Sequence, residues 1–120
     1  MDNMPLFRGK TPNGRLVQGG AYQIQYRESF NTYIVDHKGN EYRVDPNSIA
    51  LATNFFDKNH DRIFIYDKIR FNHHLPNIDS VGTVTQLIDG LFVVNFPYLK
   101  NDFGVHVETL AQIAGQSTII

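Results

Sequence analysis

The sequence predicts a mainly β fold, and three observations support this prediction. The 120 residues include 9 Phe and 6 Tyr, with β-branched residues beside them, a mixture that suits pleated strands better than helices. Turn signals recur at short and fairly even intervals along the chain. Between these turns, apolar residues either alternate with polar ones or form short continuous runs, a spacing typical of a β-sandwich or β-barrel.

The first half of the chain is predicted to contain antiparallel strands. A turn at Pro12-Asn13-Gly14 comes first. Residues 21–27 form the clearest strand, because Tyr22, Ile24 and Tyr26 share one face of an extended chain. Residues 32–36 and 41–45 flank a loop containing Gly39 and are predicted to pair as a hairpin, which Pro46 then ends.

The second half is predicted to continue in strands. After a polar turn at 57–61, residues 62–71 are expected to form one long strand with a kink near Asp67. A loop at 72–80 leads to strands at 81–88 and 91–96, joined by a two-residue Asp89-Gly90 turn. The tail, 104–120, has helical spacing in its first part and strand-like residues at its end, and extended structure is slightly favoured.

The order of these strands predicts the architecture. From Ile65 onward the pattern is strand, long loop, strand, tight turn, strand, by which small barrels close a sheet and remove its edges. We therefore expect a small SH3-like β-barrel with extra N-terminal strands and little helix. The length of 120 residues and the lack of any linker-like segment predict one domain over residues 1–120.

Composition limits the function classes to be considered. With 11 basic and 12 acidic residues, the net charge is -1, so the chain lacks the positive field that drives general nucleic-acid binding. Cysteine is absent, which excludes disulfides, thiolate zinc sites and thiol catalysis, and fits the cytoplasm. No apolar run approaches the ~18 to 20 residues of a membrane span, and Met1 to Lys10 has no signal-peptide stretch, so no membrane association is expected.

Several segments resemble the YopX family of phage and prophage proteins. Residues 7–10, Phe-Arg-Gly-Lys, and the glycine-ended segment 13–19 are similar to the family's opening. Residues 44–49 resemble its segment around a proline, and residues 53–69, TNFFDKNHDRIFIYDKI, are similar to its signature run. Residues 82–84 and the tail 111–120 extend the likeness over nearly the whole chain.

The resemblance implies a phage-encoded β-barrel protein of unassigned activity, working in the cytoplasm of a bacterial host and able to oligomerise. It supplies no catalytic residues. Two positions depart from the family's pattern: His60 stands in place of a turn glycine, and Tyr66 in place of the glycine before Asp67. Because glycine adopts positive φ most readily, we expect backbone strain or an altered turn at both positions.

The acidic residues are interpreted as turn formers. Residues 57–61 begin like a calcium loop, but Arg62 and Lys68 occupy the places of its glycine and bidentate glutamate, so a plain Asx-type turn is expected. Asp36, Asp57 and Asp67 lie at turns or strand ends, where carboxylates commonly accept from backbone amides. We therefore predict no enzymatic activity, no catalytic residue and no cofactor.

The five histidines are His37, His60, His73, His74 and His106. Imidazole is a common metal ligand and general base. His73 and His74 are adjacent, and adjacent residues of an extended segment point to opposite faces, so the two do not readily bind one ion. The preferred interpretation is solvated loop histidines without metal, and the location of His60 and His106 is left open.

Aromatic residues are more numerous than one small core needs. Those expected to face outward are Phe55, Phe56, Tyr66, Phe96, Tyr98 and Phe103. A subunit interface or partner groove uses such residues, and surplus core packing explains them equally well. The predicted binding residues are Phe55, Phe56, Tyr66, Lys68, Arg70, His73, His74 and Tyr98.

Three functions are considered. The leading hypothesis is a non-enzymatic binding or assembly module that self-associates, as a homo-oligomer, or binds a phage or host protein. The second is a nucleic-acid-binding small barrel in which Lys68, Arg70, His73 and His74 line one strand and loop while Tyr66 or Phe71 stacks on bases. The third is an inhibitor of a host defence or transcription protein.

Overall fold

A computed structural model describes residues 6–99 and 104–120 of the chain. The chain packs as two compact units, unit 1 over Met1–Ala52 and unit 2 over Thr53–Ile120. The hydrophobic cluster around Ile34 lies within unit 1, and the one around Phe96 lies within unit 2. The single domain expected over residues 1–120 stays a prediction.

Unit 1 is an antiparallel sheet with the strand order β4-β3-β2-β1-β5. Its strands are β1 (Phe7–Lys10), β2 (Leu16–Tyr26), β3 (Ser29–Val35), β4 (Glu41–Val44) and the beginning of β5 (Ala50–Phe56). A 3-10 turn at Pro46–Ser48 separates β4 from β5, which confirms the predicted break at the proline.

The hairpins of unit 1 follow from their loop residues. Pro12-Asn13-Gly14 connects β1 to β2, and His37-Lys38-Gly39 connects β3 to β4. Each loop ends in a glycine at positive φ, 88° at Gly14 and 84° at Gly39. This three-residue loop matches the twist of the two strands and fixes their register. The predicted hairpin between residues 32–36 and 41–45 is therefore confirmed.

Unit 2 contains the rest of the strands and the short helical segments. They are β6 (Arg62–Phe64), β7 (Lys68–Arg70), β8 (Val81–Gln86), β9 (Phe92–Pro97), β10 (Val105–Thr109), α1 (Leu110–Ile113), a 3-10 turn (Ala114–Gln116) and β11 (Thr118–Ile119). The last five strands form an antiparallel sheet in the order β10-β9-β8-β7-β11. Strand β5 continues into unit 2, where its neighbour is β6.

The core of unit 2 forms where β7, β8 and β9 present their apolar faces to α1. Its buried residues are Ile63, Ile69, Val84, Val94, Phe96, Leu110, Ile113 and Ala114. Phe96 is fully buried, so its expected outward orientation is wrong. The physical reason is its place in β9, where Val94 and Phe96 share the inner face and Asn95 lies on the other.

The long strand expected over residues 62–71 is wrong, because the chain breaks between β6 and β7. Tyr66 adopts positive φ, 75°, and the Asp67 carboxylate accepts from the amide of Phe64 at 2.9 Å. This tight turn changes the direction of the chain, and β6 and β7 belong to different sheets. The irregularity predicted near Asp67 is present, but it is a tight turn between two strands and not a kink within one strand.

The hairpin between β8 and β9 is confirmed, although its turn differs from the prediction. Gln86 pairs with Phe92, and the amide of Leu87 donates to the carbonyl of Leu91. Three residues, Ile88-Asp89-Gly90, therefore form the loop in place of two, with φ of 94° at Gly90. A three-residue loop ending in positive φ is the next most common hairpin connection.

The tail combines the two structures that its pattern left open. Residues 105–109 form β10, residues 110–116 form α1 and the following 3-10 turn, and Thr118–Ile119 form β11. Leu110 and Ile113 are buried on one side of the helical turn, which accounts for the helical spacing of these residues.

The mainly β class with little helix is confirmed. The described strands form two antiparallel sheets that do not close into a barrel: β4 and β6 are the edges of one, and β10 and β11 are the edges of the other. Among the described residues, helices are too short to cross a membrane.

Candidate functional site

The inner face of edge strand β10 carries two polar side chains in alternating positions. His106 and Glu108 lie two residues apart and therefore point to the same side of the strand. The register of β10 with β9 places His106 beside the buried Phe96. Side chains of His106 and Glu108 are 24% and 22% exposed, so both are reachable from solvent yet largely enclosed.

His73 reaches the same place from the loop between β7 and β8. Its side chain is 5% exposed, so the expected solvated histidine is wrong at this position. The ring packs edge-on against Phe96, with centroids 4.6 Å apart, and against Phe71 at 5.7 Å. Its Nε2 lies 3.0 Å from the carbonyl oxygen of Asp79, which holds the ring in a fixed orientation.

The three polar groups form one cluster, which we call the His-His-Glu cluster: His73, His106 and Glu108. Glu108 Oε2 lies 2.8 Å from His106 Nε2 and 3.8 Å from His73 Nδ1. Each residue offers one atom that could bind a metal ion, and these three atoms lie within 4.8 Å of one another. His73 Nδ1 is buried and has no hydrogen-bond partner among the described residues.

Part of this cluster was readable from the sequence. The run Val105-His106-Val107-Glu108 alternates apolar and polar residues, which in a strand puts His106 and Glu108 on one face. Of the cluster, only His73 was among the predicted site residues; His106, Glu108 and Asp79 were not. His73 lies more than thirty residues before His106, and only the pairing of β7, β8, β9 and β10 brings them together.

The other predicted site residues are dispersed over unit 2. Lys68 and Arg70 are exposed on one face of β7, and Tyr66 precedes them with 67% of its side chain exposed. His74 is exposed, as expected of a loop histidine, and has φ of 55°. Tyr98 is 37% exposed and forms an isolated bridge with Ile78.

The two consecutive phenylalanines have different environments. Phe55 is half-buried, packs against the core of unit 2 and contacts Phe92 edge-on at 6.5 Å. Phe56 is 43% exposed, and the Arg62 guanidinium lies 4.8 Å from the centre of its ring, within the range of a cation–π contact. Of the aromatic residues expected to face outward, Phe103 lies outside the described residues.

The outer face of β10 is apolar. Val105 and Val107 are 47% and 49% exposed and alternate with the two polar residues of the His-His-Glu cluster. Strand β9 pairs with one side of β10, and no described strand pairs with its other side. The strand therefore has two distinct faces, one polar and enclosed, the other apolar and exposed.

The acidic turn residues act as the sequence predicts. The carboxylate of Asp36 accepts from the amides of Lys38 and Asn40, and that of Asp57 accepts from the amides of Asn59 and Asp61. These are Asx-type turns, so the turn predicted at residues 57–61 is confirmed.

Unit 1 contains a pocket of about 320 Å³ lined by Ala21, Tyr22, Gln23, Thr32, Pro46 and Ile49. At its border the Tyr22 hydroxyl donates to the Glu41 carboxylate, and this hydrogen bond raises the pKa of Tyr22 to about 12. A phenol with such a pKa stays protonated at neutral pH, so Tyr22 is a hydrogen-bonding group and not a general base.

No protein-family model matches the chain, and no curated protein matches it either.

Proposed function

We propose that the chain is a non-enzymatic binding and assembly module that self-associates through β10. The observation that carries this proposal is an edge strand with an exposed apolar face. Val105 and Val107 point outward from β10, and the far side of the strand has no described neighbour. An edge strand whose outward-facing side chains are apolar, with no proline among them, can pair with another strand.

The sequence of β10 favours a second copy of the same chain as the occupant. An antiparallel pair centred on Val107 places the two Val107 side chains opposite each other. In that register His106 of each copy lies opposite Glu108 of the other, and Val105 lies opposite Thr109. Cross-strand pairs such as the two Val107 side chains each stabilise an antiparallel pair by about 0.2–1 kcal/mol, and no like charges face each other in this register. The strand is thus complementary to itself.

The experiment is a measurement of molar mass by light scattering over a range of protein concentrations. We expect a dimer for the unaltered chain and a monomer for Val107→Lys, because two lysines would face each other on the symmetry axis. Ile88→Lys is the matched control: Ile88 is fully exposed at the tip of the β8–β9 hairpin, away from β10. A monomeric unaltered chain, or a dimer that persists in Val107→Lys, would contradict the proposal.

A second function is favoured by the basic face of β7. Lys68 and Arg70 are both exposed there, and Tyr66 offers an exposed ring for stacking on a base. Phe71, the alternative stacking residue, packs against the core and is less accessible. If oligonucleotides bind, affinity should fall steeply with salt, and Lys68→Glu together with Arg70→Glu should abolish it.

The connectivity of unit 2 supports the SH3-like assignment as a proposal. A meander of β7, β8, β9 and β10 is followed by a 3-10 turn and by β11, which pairs back with β7. A last strand returning to the first is how a small five-stranded sheet begins to curl into a barrel. We propose an SH3-like arrangement that is left open between β10 and β11.

The origin of the protein is also a proposal. On the resemblance of residues 7–19 and 53–69 to the YopX family, we propose a phage-encoded protein of the bacterial cytoplasm. A phage or host protein, including a host defence or transcription enzyme that the chain would inhibit, is the alternative occupant of the β10 edge. Capture of such a protein by the unaltered chain and not by Val107→Lys would distinguish it from a second copy.

A further inference from the structure

We propose that the His-His-Glu cluster is a binding site for one divalent transition-metal ion, with Zn²⁺ as the best match. The three donors are His73 Nδ1, His106 Nε2 and one carboxylate oxygen of Glu108. All three belong to unit 2 of a single chain, so the site does not rest on self-association through β10.

The protonation of His73 follows from its contact with Asp79. A backbone carbonyl oxygen accepts hydrogen bonds and cannot donate, so His73 Nε2, 3.0 Å from the carbonyl of Asp79, carries the proton. In a neutral imidazole the other nitrogen, Nδ1, then presents a lone pair. Histidine ligands of metals typically donate their second ring N–H to a carbonyl or carboxylate in this way.

The lone pair of His73 faces another acceptor. Nδ1 is buried and unpartnered, and Glu108 Oε2, a second acceptor, lies 3.8 Å from it, beyond hydrogen-bond distance. A buried acceptor without a partner costs free energy, and two facing acceptors are stabilised by a cation between them. His106 Nε2 lies 2.8 Å from the same carboxylate oxygen, so in the metal-free chain this nitrogen carries a proton and donates it to Glu108. When an ion binds, the ring takes the neutral tautomer protonated at Nδ1, and Nε2 becomes the third ligand atom.

The donor set and its spacing identify the class of ion. Two imidazole nitrogens and one carboxylate oxygen suit Zn²⁺, whereas Ca²⁺ and Mg²⁺ prefer all-oxygen sites. In a tetrahedral zinc site, metal–ligand bonds of about 2.0–2.1 Å place the ligand atoms about 3.3 Å from one another. The donors here lie within 4.8 Å of one another, so side-chain rotation of the part-exposed His106 and Glu108 suffices to close the site.

The buried and exposed ends of the site have different roles. His73 lies at the base, fixed by Asp79 and by the rings of Phe71 and Phe96. His106 and Glu108 lie at the rim, where solvent can supply the fourth ligand. A bound ion would add a direct link between the loop at 71–80 and edge strand β10, beside the edge-on contact of the His73 and His106 rings, whose centroids lie 5.4 Å apart.

The test is a titration of the chelator-treated full chain with ZnCl₂. Binding is measured by calorimetry and, separately, by competition with a chromogenic chelator. We expect one Zn²⁺ per chain, with no comparable binding of Ca²⁺. His106→Gln and Glu108→Gln should each weaken binding by more than about 100-fold, because loss of an outer partner alone costs about 10–100-fold. His74→Gln is the matched control and should bind like the unaltered chain, since His74 is exposed and outside the cluster.

Nitrogen-15 spectra of the histidine rings give a second readout that does not depend on affinity. Zn²⁺ should shift Nδ1 of His73 and leave the protonated Nε2 of that ring bonded to Asp79. Failure of the unaltered chain to bind Zn²⁺ stoichiometrically would overturn the proposal. Equal binding by Glu108→Gln and His74→Gln, with circular dichroism showing both folded, would overturn it as well. Neither result would bear on the molar mass measured for the dimer.

Discussion

The hairpin loops at Asp36–Asn40 in unit 1 and Asp57–Asp61 in unit 2 have the same backbone design. In each, the amide of the first aspartate donates to the carbonyl of the fifth residue, at 3.0 and 2.9 Å. The fourth residue, Gly39 or His60, has positive φ and donates to the aspartate carbonyl. In each, the aspartate Oδ1 accepts two amides of its own loop.

The two loops differ in what surrounds the carboxylate. Asp36 is partly exposed, and its second oxygen accepts from the nearby Asn40 and Tyr42 side chains. Asp57 is 3% exposed, and its second oxygen accepts from the amide of Ile119 in β11, at 3.1 Å. One motif thus shapes a local turn in unit 1, whereas in unit 2 it also attaches the last strand to the hairpin.

The pKa values of the two carboxyls report the same difference. The amide of Asn40 is the main cause that holds the pKa of Asp36 below its usual value. For Asp57, burial raises the pKa, but the amides of Ile119, Asp61 and Asn59 together outweigh burial and lower it. Asp57 therefore depends on its hydrogen bonds to remain charged in the core.

The largest expected effect comes from Asp57→Asn. The amide keeps one oxygen for the loop amides but replaces the second oxygen with an N–H₂ group, which cannot accept from Ile119. We expect a loss of about 2 kcal/mol in the free energy of unfolding, because a buried N–H is left without a partner. Asp36→Asn preserves the matching loop bonds and should be close to neutral. Urea unfolding of both variants measures the difference. Equal losses of unfolding free energy would contradict the proposed difference between the two loops.

The pH dependence should follow from Asp57 as well. Its pKa in the folded state lies below the ordinary 3.8, so its charge stabilises the fold above that value. That stabilisation is lost as pH falls from about 4 through the folded-state pKa. The unfolding free energy of the unaltered chain should therefore drop over this acidic range. A drop as steep in Asp57→Asn as in the unaltered chain would show that other carboxylates are responsible.

The smallest effect concerns the fourth loop position. His60 has φ of 66°, a region that costs most residues about 1–2 kcal/mol and glycine nothing. Because glycine loses about 0.5–1 kcal/mol more chain entropy on folding, His60→Gly should stabilise by about 0.5 kcal/mol. The reverse change, Gly39→His, should destabilise by about 1 kcal/mol, because φ is 84° at this position. No atom lies near the added Cβ, so a steric clash adds nothing to this cost. Thermal unfolding of both variants checks the opposite signs.

The sequence predicted hairpins well where the residues that form the turn lie within the loop itself. Gly14, Gly39 and Gly90 marked three connections, and Asp36 and Asp57 marked the caps of two loops. His60 and Tyr66, where backbone strain or an altered turn was expected, both have positive φ. These features are local, so a single sequence is enough to find them.

Predictions that depended on distant contacts were less successful. Residues 62–71 have the apolar content of one strand, and nothing within that segment shows that β6 and β7 join different sheets. The outward orientation expected for Phe96 failed because its ring is covered by Phe71, His73 and His106, which lie far from it in the sequence or on another strand. His106 and Glu108 share a face only because residues 105–109 form a strand, in a tail whose structure the sequence left open, and His73 joins them only through three successive strand pairings.

Hydrogen exchange of the β10 amides, measured at low and high protein concentration, tests self-association at this edge most directly. If two copies pair through Val105–Thr109, exchange of the β10 amides that face away from β9 should slow as concentration rises in the unaltered chain and stay fast in Val107→Lys. Amides of β8, a central strand in the same sheet, serve as the internal reference. Exchange at β10 that is the same at both concentrations would contradict assembly through this strand.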